Sequence, residues 1–232
     1  MANEPFTGVV DVHHHDGAWS PEKVRLGGVR ALIHKATEGV GWRDPACLEA
    51  IRAALSVDLA VGVYHFGTGS TTGDVQAHEF LRFIDTLPVR PPALLLALDW
   101  ESNPNAHKFG TMNQFQAFDF VKTLRHELGR FPVLYSGTHF LGKNLSNDGV
   151  ADYLAQCPLW QAQYGERPAR MPGRWRGRFL WQYTNGSAGP ANTARYPRRT
   201  AGFVRPGQDR SAYVGTEHEL RAAWGTVGVP TP

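Results

Sequence analysis

Asp99 and Glu101 are the residues of this chain whose types and spacing most directly suggest acid–base chemistry. They flank Trp100 at the end of an unbroken apolar run, Leu94 to Leu98, inside the stretch PPALLLALDWE. So short a run, without polar alternation, predicts a strand buried on both faces. Successive strand side chains point to opposite sides, so Asp99 and Glu101 share one side and Trp100 takes the other. Two carboxyls so placed can act as proton donor and negative partner in one reaction, provided their surroundings separate their pKa values. Cleavage of a glycosidic bond needs that combination, because its transition state is oxocarbenium-like. A strand end held by ion pairs is the alternative without chemistry.

Other predicted strand ends offer compatible groups. They are Asp11, Lys35 or Glu38, the run Tyr64-His65-Phe66, Tyr135, the set Trp160, Gln163 and Tyr164, the set Trp181, Gln182 and Tyr183, and Asp209. If these ends converge, the result is a cleft with carboxylates at its floor and aromatic rings on its walls. Rings stack on the apolar faces of sugars, while carboxylates and amides hydrogen-bond sugar hydroxyls. The set therefore predicts a carbohydrate site.

The elements that must position these groups alternate along the chain. Strands are predicted at 7–12, 29–35, 59–66, 94–98 and 132–136. Helices are predicted from Ser20-Pro21, over 44–56, over 73–87 and over 112–128, the last stopped by Gly129. Later, strand-like pieces crowd together at 159–164, 178–184 and 202–204, leading to Gln208-Asp209. Five helical crossovers followed by hairpin-like joins fit one α/β barrel over residues 1–225, with 226–232 as a loose tail.

Composition sets the class. The 232 residues are 42% hydrophobic and 19% charged, as in a soluble globular protein. No apolar run approaches the roughly 18 residues that span a bilayer, so no membrane insertion is expected. The start, MANEPFTG, lacks a basic region and an apolar core, so a product made in the cytoplasm without a cleaved leader is expected. Cys47 and Cys157 have no metal-site or disulfide spacing and are expected to be buried thiols. The net charge of +3 hides a balance of +8 between residues 157 and 212, where ten arginines face Glu166 and Asp209. A basic flank suits polyanions, but no nucleic-acid-binding motif accompanies it, and no nucleic-acid partner is expected.

Several strings together resemble the family 25 glycoside hydrolases, the Chalaropsis-type lysozymes. They are GVVDVHHHDG, ALIHKATEG with the later Asp44, VGVYHF, LALDWE, PVLYSG, LWQAQYG and LWQYT, in order over roughly residues 8–213. The resemblance implies an irregular TIM-like (β/α)5(β)3 barrel and hydrolysis of the β-1,4 bond between N-acetylmuramic acid and N-acetylglucosamine in peptidoglycan. It implies Glu101 as general acid, with Asp99 assisting at the anomeric centre or N-acetyl group. Asp11 and Asp209 would complete an acidic quartet. No metal or cofactor is implied, and the expected partner is the glycan strand, met by a monomer. Release by a holin, as for a phage endolysin, or by a secretion machine, as for an antibacterial effector, would bring such an enzyme to the cell wall. The chain departs from the family pattern at His13, where serine is usual, at Asp16, and at Asp209-Arg210-Ser211, where D-x-N is usual.

Three other readings compete. His13 and His15 could begin a metal-dependent barrel hydrolase, with His65, Glu101, His139 and Asp209 as further ligands. A chitinase-type barrel would also end a strand on D-x-E, but with another aspartate where Ala97 stands. A wall-glycan-binding barrel without activity would lack an acid, and both acids are present.

Overall fold

In the computed structural model, which describes residues 4–87, 91, 93–146 and 148–228, the chain forms an α/β barrel. Five strand–helix units come first. Strand β1 (Phe6–Val12) leads to α1 (Pro21–Leu26), and β2 (Ala31–Glu38) with the short β3 (Trp42–Arg43) leads to α2 (Cys47–Ser56). Then β4 (Ala60–Phe66) is followed by α3 (Gly73–Asp85), and β5 (Leu94–Asp99) by α4 (Ala106–Phe109) and α5 (Gln114–Leu128). Strand β6 (Val133–Gly137) is followed by α6 (Thr138–Asn144) and α7 (Gly149–Leu154). The last strands, β7 (Leu159–Ala162), β8 (Leu180–Thr184) and β9 (Asp209–Tyr213), precede α8 (Glu217–Val227). Among the described residues eight strands close the barrel, because β1 pairs with both β2 and β9, and β3 hangs on the edge of β2.

Local signals place these elements. Pro21 opens α1 behind a Ser20 cap, and Asn113 closes a capping box with Gln116 at the start of α5. Gly129 ends α5 in the left-handed conformation, φ 70°, which glycine adopts without a Cβ clash. Helix α2 starts at Cys47, because the Asp44 carboxylate accepts from Ala46 N at 2.9 Å and holds the preceding turn. Helices α3 and α5 approach so closely that a Cβ on Gly73 would overlap the carbonyl of Gln116.

The strands bury both faces, as a barrel sheathed by helices must. Val10, Leu32, Leu96, Leu98 and Trp100 face the helices, whereas Val9, Ile33, Leu95, Val133 and Leu180 fill the barrel. Helix α8, which follows the last of the predicted elements, closes the barrel's lower end. Its Leu220 and Trp224 join the interior, and the Trp224 ring N–H donates to Val61 O at 3.0 Å.

Three expectations are corrected. The late strands are not joined as hairpins throughout: β6, β7 and β8 run parallel, and only β9 is antiparallel to its neighbours. The strand expected to lead up to Asp209 instead begins there, and 202–204 is a turn region. An antiparallel strand starts where parallel ones end, so Asp209 still reaches the same mouth. Thr226 and Val227, expected in a loose tail, form the end of α8; residues 229–232 lie outside the described residues.

Candidate active site

The floor of the mouth is built by cross-strand register. Asp11 near the end of β1 stands opposite Asp209 at the start of β9. Between them the Gln182 side chain on β8 donates its amide to Asp11 Oδ2 at 2.7 Å and to Asp209 Oδ2 at 3.4 Å. Its own oxygen accepts from the Tyr135 hydroxyl at 2.8 Å. That chain fixes which end of the amide faces the acids.

Asp99 and Glu101 are aimed by the residue between them. Trp100 is fully buried on the helix side, and its ring N–H donates to Met112 O at 2.8 Å. Its backbone is clamped as well, N to Tyr135 O at 3.0 Å and O to the Ser136 hydroxyl at 2.6 Å. With Trp100 pinned outward, strand alternation sends both carboxyls inward, and both line one cleft of about 220 Å³. Asp11 and Asp209 line it too, with Tyr64, Phe66, Tyr135 and Trp160 as aromatic wall and Lys35, His13 and Pro104 on the remaining sides. Tyr135 and Trp160 meet edge to face at 4.7 Å, and the Trp160 ring N–H donates to the Ser211 hydroxyl at 2.8 Å.

Lys35 and Glu38 are three apart and would face opposite ways on a regular strand. The β2–β4 register shifts between Lys35 and Thr37, and this irregularity returns Glu38 to the side of Lys35. They form an ion pair at 2.6 Å, with the ammonium also over the rings of Phe66 (4.7 Å) and Trp42 (4.9 Å).

Burial dominates the electrostatics. Asp11 and Asp99 are each 8% exposed, and one oxygen of each, Oδ1, has no hydrogen-bond partner. Burial pushes the Asp99 carboxyl well above the ordinary range; Glu101 adds to the effect and Lys35 opposes it. The Glu101 carboxyl is also raised by burial and drawn back by Lys35. Asp11 is raised by burial and by Asp209, with the Gln182 amide acting the other way. Asp209 is pushed up to about 7, again chiefly by burial. Burial thus favours the protonated form of all four carboxyls, with Glu101 adding to that at Asp99 and Asp209 adding to it at Asp11.

Several predicted site residues lie elsewhere. His65 sits on the helix side of β4, fully buried, with Nδ1 2.7 Å from the Thr37 hydroxyl and Nε2 3.2 Å from Gln76 Oε1. Trp181 is likewise on the outer side, packed against Tyr183 and Tyr196, and its ring N–H donates to Gln163 O at 2.7 Å. Strand alternation carries the signal in both cases: Tyr64 and Phe66 point in, as does Gln182, so the intervening or adjacent residue points out. Gln163 and the 40%-exposed Tyr164 lie beyond β7, outside the lining of the cleft. The Tyr164 hydroxyl is raised by burial and then by Asp209, Asp11 and Glu101, which places it within the field of the acids. Of the two candidates on β2, Lys35 lines the cleft and Glu38 serves as its ion-pair partner. Pro104 carries no sequence signal for the site.

The histidine triplet has local partners. Residues 14–16 form a 3₁₀ turn; His13 Nδ1 accepts from His15 N, and the Asp16 carboxylate accepts from His13 N. His14 turns to the buried Asp44, 2.9 Å from Nδ1 to Oδ2. Among the described residues no group of three His, Cys, Asp or Glu side chains is arranged to hold a metal ion.

Comparison with known proteins completes the picture. The sequence model of the glycosyl hydrolases family 25 matches residues 10–190. The uncharacterized protein YegX of Escherichia coli O157:H7 is 28% identical over 204 residues, covering 86% of this chain; the chain spans 65% of the length of that relative. An N,O-diacetylmuramidase of Chalaropsis sp. is 27% identical over 170 residues, 69% of this chain and 80% of the relative. The crystal structure of a lysozyme from Streptomyces coelicolor superposes with a TM-score of 0.75 at 21% identity, covering 94% of this chain and 96% of that one.

Proposed function

The chain belongs to the glycosyl hydrolases family 25, and from that premise we propose that it is a muramidase, cutting the β-1,4 bond between N-acetylmuramic acid and N-acetylglucosamine in peptidoglycan. The observation that carries the reading is the pair Asp99 and Glu101 in one cleft, both raised by burial and both tempered by Lys35. Glu101, two residues beyond the end of β5, is the general acid that protonates the leaving oxygen. Asp99, deeper at the strand end, acts on the other side of the reacting carbon. Its ionised form orients and charges the N-acetyl group or stabilises the developing cation directly. Asp11, Gln182 and Tyr135 form a connected hydrogen-bonded wall that orients sugar hydroxyls, with Asp209 beside them. Tyr64, Phe66 and Trp160 supply faces and edges against which the ring lies.

Purified sacculi provide the test. Clearing should be accompanied by new reducing ends, and mass spectrometry of the products should place N-acetylmuramic acid at those ends. Glu101→Gln removes the proton and keeps the shape, so kcat should drop about 10²–10⁴-fold with little change in KM. A variant that kept its rate would strip Glu101 of the acid role. Products ending in N-acetylglucosamine would assign a different bond.

A further inference from the structure

A second cavity of about 400 Å³ lies on the outer rim of the barrel, immediately beside the cleft, and His13 lines both. Its volume falls in the ~300–1,000 Å³ range of small-ligand sites. The Trp19 and Phe203 rings stack there at 5.6 Å and 12°, on segments held together by an antiparallel bridge, while α2 contributes Ala50 and Ala53 and the residue capping it contributes Ala46. These residues make an apolar interior. Its edge is polar and mixed in sign: Asp16 and Glu49 supply carboxylates, and the Arg205 side chain runs beside Gly17 while donating to His15 O at 2.7 Å. Burial lowers the pKa of both His13 and His34, which favours their uncharged forms inside this wall. The cavities around Trp175, Trp181 and Trp224 share no lining residue with the cleft.

We propose that this rim cavity binds the short peptide carried by the lactyl group of the muramoyl sugar, so that the enzyme reads the wall polymer's peptide as well as its glycan. The inference rests on the muramidase reading for how the peptide arrives. A peptide joined to a sugar in the cleft has to run out over its rim, and the cavity there shares His13 with the cleft. Small alanyl side chains suit the alanine-floored interior. A free amine can meet the Asp16 or Glu49 carboxylate, and a peptide carboxylate can meet Arg205. A bare glycan chain offers neither charged group.

Two measurements with one variant test it. Ala53 lines the cavity on the partly exposed face of α2, away from the acids, so Ala53→Trp fills the space and leaves the cleft intact. On peptide-bearing muropeptide chains its kcat/KM should fall about tenfold or more, while chains stripped of peptide by an amidase should be cut at the wild-type rate. The isolated stem tetrapeptide should bind wild-type protein saturably and lose that binding in the variant, with thermal melting confirming that the variant is folded. Equal loss on both substrates would mean a further sugar subsite and overturn the proposal, as would absence of saturable tetrapeptide binding. Wild-type protein that bound the tetrapeptide but cut neither substrate would remove the muramidase reading and leave the peptide site standing.

Discussion

Lys35 is the residue on which the acid–base balance of the cleft turns. Its ammonium is neutralised in part by Glu38 at 2.6 Å, yet it lowers the proton affinity of both Asp99 and Glu101. Lys35→Met keeps the stem over Phe66 and removes the charge. The sign follows from that: without the cation, both carboxyls hold their protons to higher pH. In kcat/KM the acidic limb reports the group that must ionise and the alkaline limb the one that must stay protonated. Both limbs should therefore move to higher pH in Lys35→Met. An unmoved pH profile would show that the cation does not act on the pair. His13 illustrates the opposite economy, since one ring lines the catalytic cleft and the rim cavity together.

At the level of elements, the end of β5 shows how an apolar side chain can set the aim of polar neighbours. Trp100 is locked by Met112 O on its ring and by Tyr135 and Ser136 on its backbone. Trp100→Phe keeps most of the ring volume and withdraws the N–H donor, leaving a buried carbonyl short of a partner, at a cost of about 1–3 kcal/mol. The expected result is a lower midpoint in urea together with a reduced kcat and an unshifted pH profile, because the acids lose alignment without changing their surroundings. Full kcat at reduced stability would confine Trp100 to packing. The β2–β4 register shift plays a related part, bringing Lys35 and Glu38 to one side where regular alternation would separate them.

For the molecule as a whole, the two ends of the barrel divide the work. The upper end keeps four carboxyls whose proton affinities burial raises, an arrangement that costs stability and is characteristic of functional sites. The lower end is closed by α8, whose Leu220 and Trp224 complete the interior beneath the site. Trp224→Ala should destabilise the protein by about 3–5 kcal/mol through the cavity it opens. Measured well below its melting temperature, the folded fraction should keep the wild-type pH profile, since Trp224 contacts the far end of β4 through Val61 O. A shifted profile would show that the plug and the mouth are coupled.

The amino-acid sequence by itself determined the order of the first five barrel strands and of the main helices between them, the buried character of β5, the shared side of Asp99 and Glu101, and a family resemblance in which the four acids have places. These properties are local: apolar runs, caps, alternation and spacing are read within about a dozen residues. The tertiary structure decided what depends on neighbours distant in the chain. It put His65 and Trp181 on the outer face, because strand register assigns a face to each residue. It made β9 antiparallel, so that Asp209 enters the mouth at a strand's beginning and meets Asp11 across the ladder. It gave Gln182 its place between those acids and Tyr135, and it made residues 217–227 a helix whose Leu220 and Trp224 plug the barrel. Each of these rests on pairing between segments that only closure of the barrel brings together. The shared placement of the acids was therefore legible along the chain, whereas their partners and the cavity beside them were not.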